Sequence, residues 1–540
     1  MKQLQILTTL FILLIICPLT AQNRDISYMT SGGEIHPLQA NMDIRHYTID
    51  LDVDITNEFI AGFAEIDILL NKPTDSLLFD LVHFLKVESI SVNGKTTEFF
   101  QKKDYIYIIN KTGFSAGQQT VKIDYDGKPP VAIKPPWDGG FTWTTDKSGN
   151  PWVAINCQGE GGKVYFPCKD HPSDEPNEGV DLYVTVPNGL KVASFGMLQS
   201  ETPMPNSKTQ FHWKTNYTIS NYCVVFNIAD YHVEKRMYTT IDNNEVPMEF
   251  YILAEDKEHA NKVLDIRERD TRVLEKYLGE YPWVNEKIGI AHVPNPGMEH
   301  QTMVTFGDPF DFKLIYGQPY SANLYHEFGH EWFANKVTNS DWTHMWIQEG
   351  IDTYIESFLF KEIGGEKAYD SIIGTFKKRI KNQQPLVLGN HETEAAIYTS
   401  DIYFKGAFFM HSLKTVIGDD VFFKTLKELA NNPIYTYDNT ATTDDVEQLF
   451  SKRSGKDLKP FFDFYLRTIN KLNVDVTKTG DSNYTILTNN APIPMRIEIT
   501  TNTGIQTVLL EKNKPFVISS ETSPILDAGD NFLSNITYNE

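Results

Sequence analysis

The chain is short of cations. Its 540 residues hold 49 Lys and Arg against 71 Asp and Glu, a formal net charge of -22 with a pI of about 5.1. Neutralising phosphates takes a basic surface, so no nucleic acid is expected as a partner. Cysteine is scarce too, at four residues. Cys157, Cys168 and Cys223 lie outside the N-terminal apolar run and are an odd set that cannot be a complete disulfide framework. They read as buried thiols, with a Cys157–Cys168 bridge left open in an oxidising compartment. Long apolar stretches are missing, apart from the one in MKQLQILTTLFILLIICPLTA. That run falls short of the ~20 residues that span a bilayer. With Lys2 ahead of it and the small Ala21 behind, it reads as an export signal over residues 1–21. The LIIC around Cys17 lacks the small residues expected before a lipidated cysteine. The mature chain is therefore expected to be periplasmic or secreted, with no integral membrane span. Repeats, low-complexity segments and long linkers are absent.

At 41% hydrophobic and 22% charged, the rest is ordinary globular sequence, too long for a single core. From about residue 40 to 250 the apolar residues alternate. HYTIDLDVDI shows it best, with Tyr47, Ile49, Leu51, Val53 and Ile55 on one face. The period then turns helical, with Ala260, Val263, Ile266, Val273 and Tyr277 spaced three to four apart and one interruption at Asp270. Helical segments dominate to about residue 470, and alternation returns in MRIEITTN and PFVISS. The fold class is α+β multidomain: an N-terminal β-sheet domain over 22–246, an α-rich domain over 247–470, and a small C-terminal β-sandwich over 471–540.

HEFGHEWFANKVTNSDWTHMWIQEG carries the chemistry. His326 and His330 are one helical turn apart on the same face, so two imidazoles can meet one ion. A helix N-capped by Ser321 would put Leu324, Phe328 and Trp332 on or near an adjoining apolar stripe. A catalytic zinc takes three protein ligands and keeps one open position. Glu349 is the third candidate, near the start of a helix with Ile347, Ile351, Tyr354 and Phe358 on its buried face and Gly364-Gly365 at its end. Glu327, next to the ligands without being one, suits a general base that takes a proton from the attacking water. Glu356 shares the Glu349 face and reads more readily as a surface ion pair than as support for a histidine.

H-E-x-x-H followed by eighteen residues and Glu resembles the zinc signature of the aminopeptidase N family of metallopeptidases, the gluzincins that include leukotriene A4 hydrolase. WIQEG stands where that family has W-L-N-E-G, and NPGMEHQT resembles its G-x-M-E-N. The resemblance implies a thermolysin-like catalytic domain, without the large C-terminal helical domain of many members, and one zinc ion per chain held by His326, His330 and Glu349. It assigns Glu327 as base and gives Glu299 the substrate's free α-amine, with Gly297 and Met298 in the substrate loop and His300 in place of the family asparagine. YTSDIYFKG resembles the segment with the transition-state tyrosine, placing it at Tyr403. Tyr398 matches a second tyrosine and otherwise reads as a core aromatic. In NCQGEGGKVYFPC, Gln158 and Glu160 fall where members line the cleft beside the amine. The implied activity is removal of N-terminal residues from peptides with a free amine. The alternatives are a zinc endopeptidase or an epoxide hydrolase on the same scaffold, or an inactive peptide-binding surface protein.

Overall fold

A computed structural model describes residues 28–539; the export signal expected over 1–21 lies outside them. The alternation around residue 50 folds as expected. In the strand Met42–Asp54, Tyr47, Ile49, Leu51 and Val53 are all buried while their neighbours face outward. This strand is central to an eight-stranded sheet, antiparallel to Phe59–Leu70 on one side and parallel to Val180–Pro187 on the other. A four-stranded sheet carries the hairpin Gly140–Thr145 and Pro151–Asn156. The second strand of that hairpin runs straight into Gln158.

A further five-stranded sheet is ordered Tyr231–Thr239, Glu245–Leu253, Ile288–His292, Val304–Phe306, Gly297–Met298. Its last three strands sit in a stretch whose pattern reads as helical. Ile288–His292 is buried at every position, as a central strand paired on both sides in parallel must be, so it has no alternation to betray it. Gly297–Met298 forms the edge of this sheet and faces the cleft.

The helices in chain order are α1 (Pro37–Ala40), α2 (Ala260–Leu278), α3 (Ala322–Gly329), α4 (Trp346–Arg379), α5 (Glu394–Ile397), α6 (Ser400–Ile417), α7 (Asp419–Leu429), α8 (Thr443–Ser454) and α9 (Lys459–Leu466). Asp270 does not interrupt α2. It is buried within the helix and accepts hydrogen bonds from the Arg269 guanidinium at 2.6 and 2.9 Å. Ser321 caps α3, its hydroxyl accepting from Leu324 N at 3.1 Å. α4 is broken at Gly365 (φ 70°, ψ -167°), where the paired glycines signal an end. α4 and α6 cross backbone to backbone. A β-carbon on Gly350 would lie 2.8 Å from Gly406 Cα and from the Ile402 carbonyl oxygen.

After α9 two small sheets follow, ordered Phe516–Ser519, Asn483–Thr488, Leu472–Lys478, Ser534–Asn539 and Gly504–Leu510, Met495–Thr501, Ile525–Leu526. They tie back to the helices through Lys377 Nζ to Asp530 Oδ1 (2.8 Å) and Ser412 Oγ to the Asn531 carbonyl (2.7 Å). Cys157, Cys168 and Cys223 are buried free thiols, so the Cys157–Cys168 bridge is not formed. Among the described residues no helix is long and apolar enough to cross a membrane.

Candidate active site

α3 and α4 bring three donor atoms together. His326 Nε2 lies 3.3 Å from His330 Nε2, and Glu349 Oε2 lies 3.6 and 3.5 Å from those two nitrogens. Ligands ~2.0–2.1 Å from a tetrahedral zinc stand about 3.3–3.4 Å from one another, so the triangle has the size of one face of that tetrahedron. Glu349 Oε2 is buried with no hydrogen-bond partner, a costly state for an oxygen that serves nothing. The residues fit the ion.

The far nitrogens fix the rings. His330 Nδ1 is 2.9 Å from the Phe333 carbonyl. His326 Nδ1 lies 2.9 Å from Asp352 Oδ2 and 3.1 Å from Glu356 Oε1. Donation from each Nδ1–H leaves each Nε2 lone pair pointing at the shared point. Asp352 Oδ2 also lies 3.9 Å from His330 Nε2, so it borders both histidines and with them forms a second group able to hold a metal ion. Glu356, read as a surface ion pair, instead braces a ligand. The close approach of Asp352 needs Gly329, where a β-carbon would fall 2.1 Å from Asp352 Oδ1. Electrostatics follow the geometry. Burial opposes charge on His330, but Asp352 and Glu349 outweigh it and raise its pKa to about 10. Burial likewise works against charge on Glu349, yet the two imidazoles bring it down to about 2.

Glu327 faces the same cleft, of about 410 Å³. Burial first, then Glu299 and Glu349 against the pull of the two histidines, raises it to about 8. Tyr403, on α6, lines the cleft with its ring centroid 5.8 Å from that of His326. Its hydroxyl is 2.5 Å from that of Tyr398, so Tyr398 is a partner of Tyr403 in the cleft and not a core aromatic.

Glu299 is buried beside the triangle, with ligand atoms of Glu299, His330 and Glu349 within 4.8 Å of one another. Gln158 Nε2 (2.7 Å), Tyr222 OH (3.0 Å) and Gln348 Nε2 (3.1 Å) all donate to its Oε1. Three donors on one oxygen leave Oε2 for a ligand. The Glu299 carbonyl accepts from Asn335 Nδ2 at 2.8 Å, which ties this loop to the histidine segment. Gly297 holds φ 128° with its Cα packed on the Thr305 carbonyl, where a β-carbon would sit at 2.3 Å, and Met298 lines the cleft.

One sequence candidate, and the residue that replaces the family asparagine, go elsewhere. Glu160 turns from the cleft to accept from Gly139 N at 2.8 Å. His300 is fully buried in the core with both ring nitrogens unpartnered, and burial lowers its pKa to about 3. Tyr222, Asn335 and Asp352 were missed by the sequence reading. Only Asp352, three residues after Glu349 on one helix face, carried a local signal.

Two histidines and a glutamate on crossing helical segments, beside a β-sheet edge and a buried carboxylate, define the class: a metallopeptidase-type centre. The chain belongs to peptidase family M1. The Peptidase M1 N-terminal domain matches residues 44–223 and the Peptidase family M1 domain residues 264–465. Aminopeptidase 2 of Candida albicans is 21% identical over 84% of this chain and 50% of its own length. Tricorn protease-interacting factor F2 of Thermoplasma acidophilum is 21% identical over 82% of this chain and 55% of its own. The chain thus spans about half the length of the curated relatives it matches. An M1 zinc metallopeptidase from Deinococcus radiodurans superposes with a TM-score of 0.65 at 19% identity, over 81% of this chain and 96% of that one. A mutant of it bound to a Tyr-Ser-Ala substrate gives 0.65 at 20% identity, over 80% and 96%.

Proposed function

We propose that this chain is an exported zinc-dependent aminopeptidase that removes N-terminal residues from peptides. The observation that carries the reading is the free oxygen of Glu299 so close to the His326–His330–Glu349 triangle. In a peptide the α-amine is separated from its own carbonyl carbon by only two bonds, about 2.5 Å. An amine held at Glu299 therefore brings the first peptide bond, and no later one, to the triangle. The names of the relatives, an aminopeptidase and a zinc metallopeptidase that binds a tripeptide, support the same reading.

Zinc, when bound, supplies Lewis acidity, which polarises a carbonyl and acidifies water. The chain's own residues do the rest. Glu299 Oε2 takes the substrate ammonium, and the edge Gly297–Met298 offers backbone groups to an extended peptide. Glu327, which lines the cleft beside His326 and His330, accepts the proton of the attacking water and returns it to the leaving amine. The Tyr403 phenol, oriented by Tyr398, donates to the developing oxyanion.

The test compares a free-amine peptide with its N-acetyl counterpart on the zinc-loaded chain. Acetylation removes the cation and leaves a buried carboxylate unpaired, which costs enough to suppress cleavage by orders of magnitude. Glu299→Ala should shrink that difference, mainly by slowing the free-amine substrate. Equal kcat/KM on the two peptides would make the chain an endopeptidase instead.

A further inference from the structure

Resting on the aminopeptidase reading, the structure carries one step more. Glu394, on α5, lines the cleft. Its carboxylate has no hydrogen-bond or ion-pair partner among the described residues, and the charges acting on it, Glu349 and Asp138, are negative. Its backbone is pinned: Glu394 N donates to the Ser31 carbonyl at 3.1 Å, and its own carbonyl accepts from Tyr398 N at 2.9 Å. Burial and these like charges disfavour its ionised form, and a cation brought beside it would stabilise that form.

The position of Glu394 says what that is. A β-carbon on Gly159 would lie 3.1 Å from Glu394 Oε2, so the carboxylate borders the residue that follows Gln158, the donor to Glu299. The first side chain of a substrate branches from the carbon that bears the amine, so it starts beside the amine anchor, next to the Gln158–Gly159 segment that grips it. Gly159 has no side chain to close the space. Pro136 and Trp137 line the same cleft and offer an apolar wall to an aliphatic stem. Glu160 lies behind, also acidic, close enough to act electrostatically with Glu394. Arg379, which lines the cleft as well, is stacked over Phe404 at 4.2 Å.

We infer that the space beside Gly159 receives the first side chain of the substrate and that Glu394 selects a basic one, lysine or arginine. The ammonium or guanidinium pairs with the Glu394 carboxylate while its methylenes lie along Pro136 and Trp137. The α-amine is recognised separately, at Glu299.

The experiment measures kcat/KM of the zinc-loaded chain on aminoacyl-coumarins bearing arginine, lysine, norleucine and glutamate. Norleucine keeps the lysine stem without its charge. A charge-assisted hydrogen bond of this kind corresponds to a preference of about 10- to 100-fold for the basic substrates over norleucine. Glu394→Gln should reduce that ratio to within a few-fold of one, and Glu394→Lys should move the preference toward glutamate. Turnover of norleucine equal to or above that of arginine and lysine would overturn the inference while leaving the aminopeptidase reading intact. So would a Glu394→Gln variant that slows basic and neutral substrates by the same factor. No turnover of any free-amine substrate would overturn both.

Discussion

His326 Nδ1 is hydrogen-bonded to Glu356 and has Asp352 Oδ2 2.9 Å away, and such outer partners set how well a ligand binds. Glu356→Gln keeps the shape but weakens the acceptor, so zinc affinity should fall by about 10- to 100-fold, read by competition with a chelator of known affinity. Unchanged affinity would mean that Asp352 alone suffices. At the other wall, Tyr403→Phe removes one oxyanion donor and should lower kcat by about 10²–10³ with KM little changed. Steady-state kinetics check this, and a normal kcat would remove Tyr403 from the mechanism. These residues differ in how far the sequence revealed them. His326, Glu327, His330 and Glu349 are legible because their geometry is local to two helices. The grip on Glu299 is not, since Gln158, Tyr222 and Gln348 come from separate segments and look like ordinary polar residues until the chain folds. Glu160 shows the converse: two residues from Gln158, it accepts from the Gly139 backbone and is not among the residues that line the cleft.

α4 and α6 meet at Gly350 and Gly406, and this crossing sets Glu349 opposite Tyr403. In a free helix Gly→Ala gains stability, ~1 kcal/mol. Here the sign reverses, because the new carbon would lie 2.8 Å from Gly406 Cα and backbones cannot yield as side chains do. Gly350→Ala should destabilise by about 1–3 kcal/mol and, by prising α4 from α6, should cut kcat/KM more than the loss of folded protein explains. Thermal unfolding and kinetics on the same sample test it; an unchanged Tm would show that the helices separate at little cost. The elements themselves were legible where periodicity was strong, as in Met42–Asp54 with its alternating burial and in α3 behind its serine cap. They were illegible where a strand is buried on both faces or only a few residues long, as in Ile288–His292 and Val304–Phe306.

Across the molecule, acids buried away from the cleft tie stability to pH. Glu175 accepts from Ser220 Oγ at 2.6 Å and Thr338 Oγ1 at 3.1 Å, yet burial raises it to about 7. A folded-state pKa above the unfolded value means that the native state holds a proton the unfolded chain gives up. The stability from Glu175 is therefore full below the unfolded carboxylate range and is lost as pH rises through about 7. Glu175→Gln should gain about 2 kcal/mol on wild type in going from pH 5 to pH 8, seen as a Tm difference that widens with pH; a constant difference would refute it. The same long reach across the chain has a consequence in time. Tyr47 lies beside Val180 in the parallel pair at the centre of the largest sheet, and at ~5–20 residues per second a ribosome takes on the order of ten seconds between them. Through that interval the apolar face of Met42–Asp54 has its hairpin partner but not its other neighbour. A chain interrupted before residue 180 would leave that side of Met42–Asp54 as an open sheet edge, ready to pair with another chain.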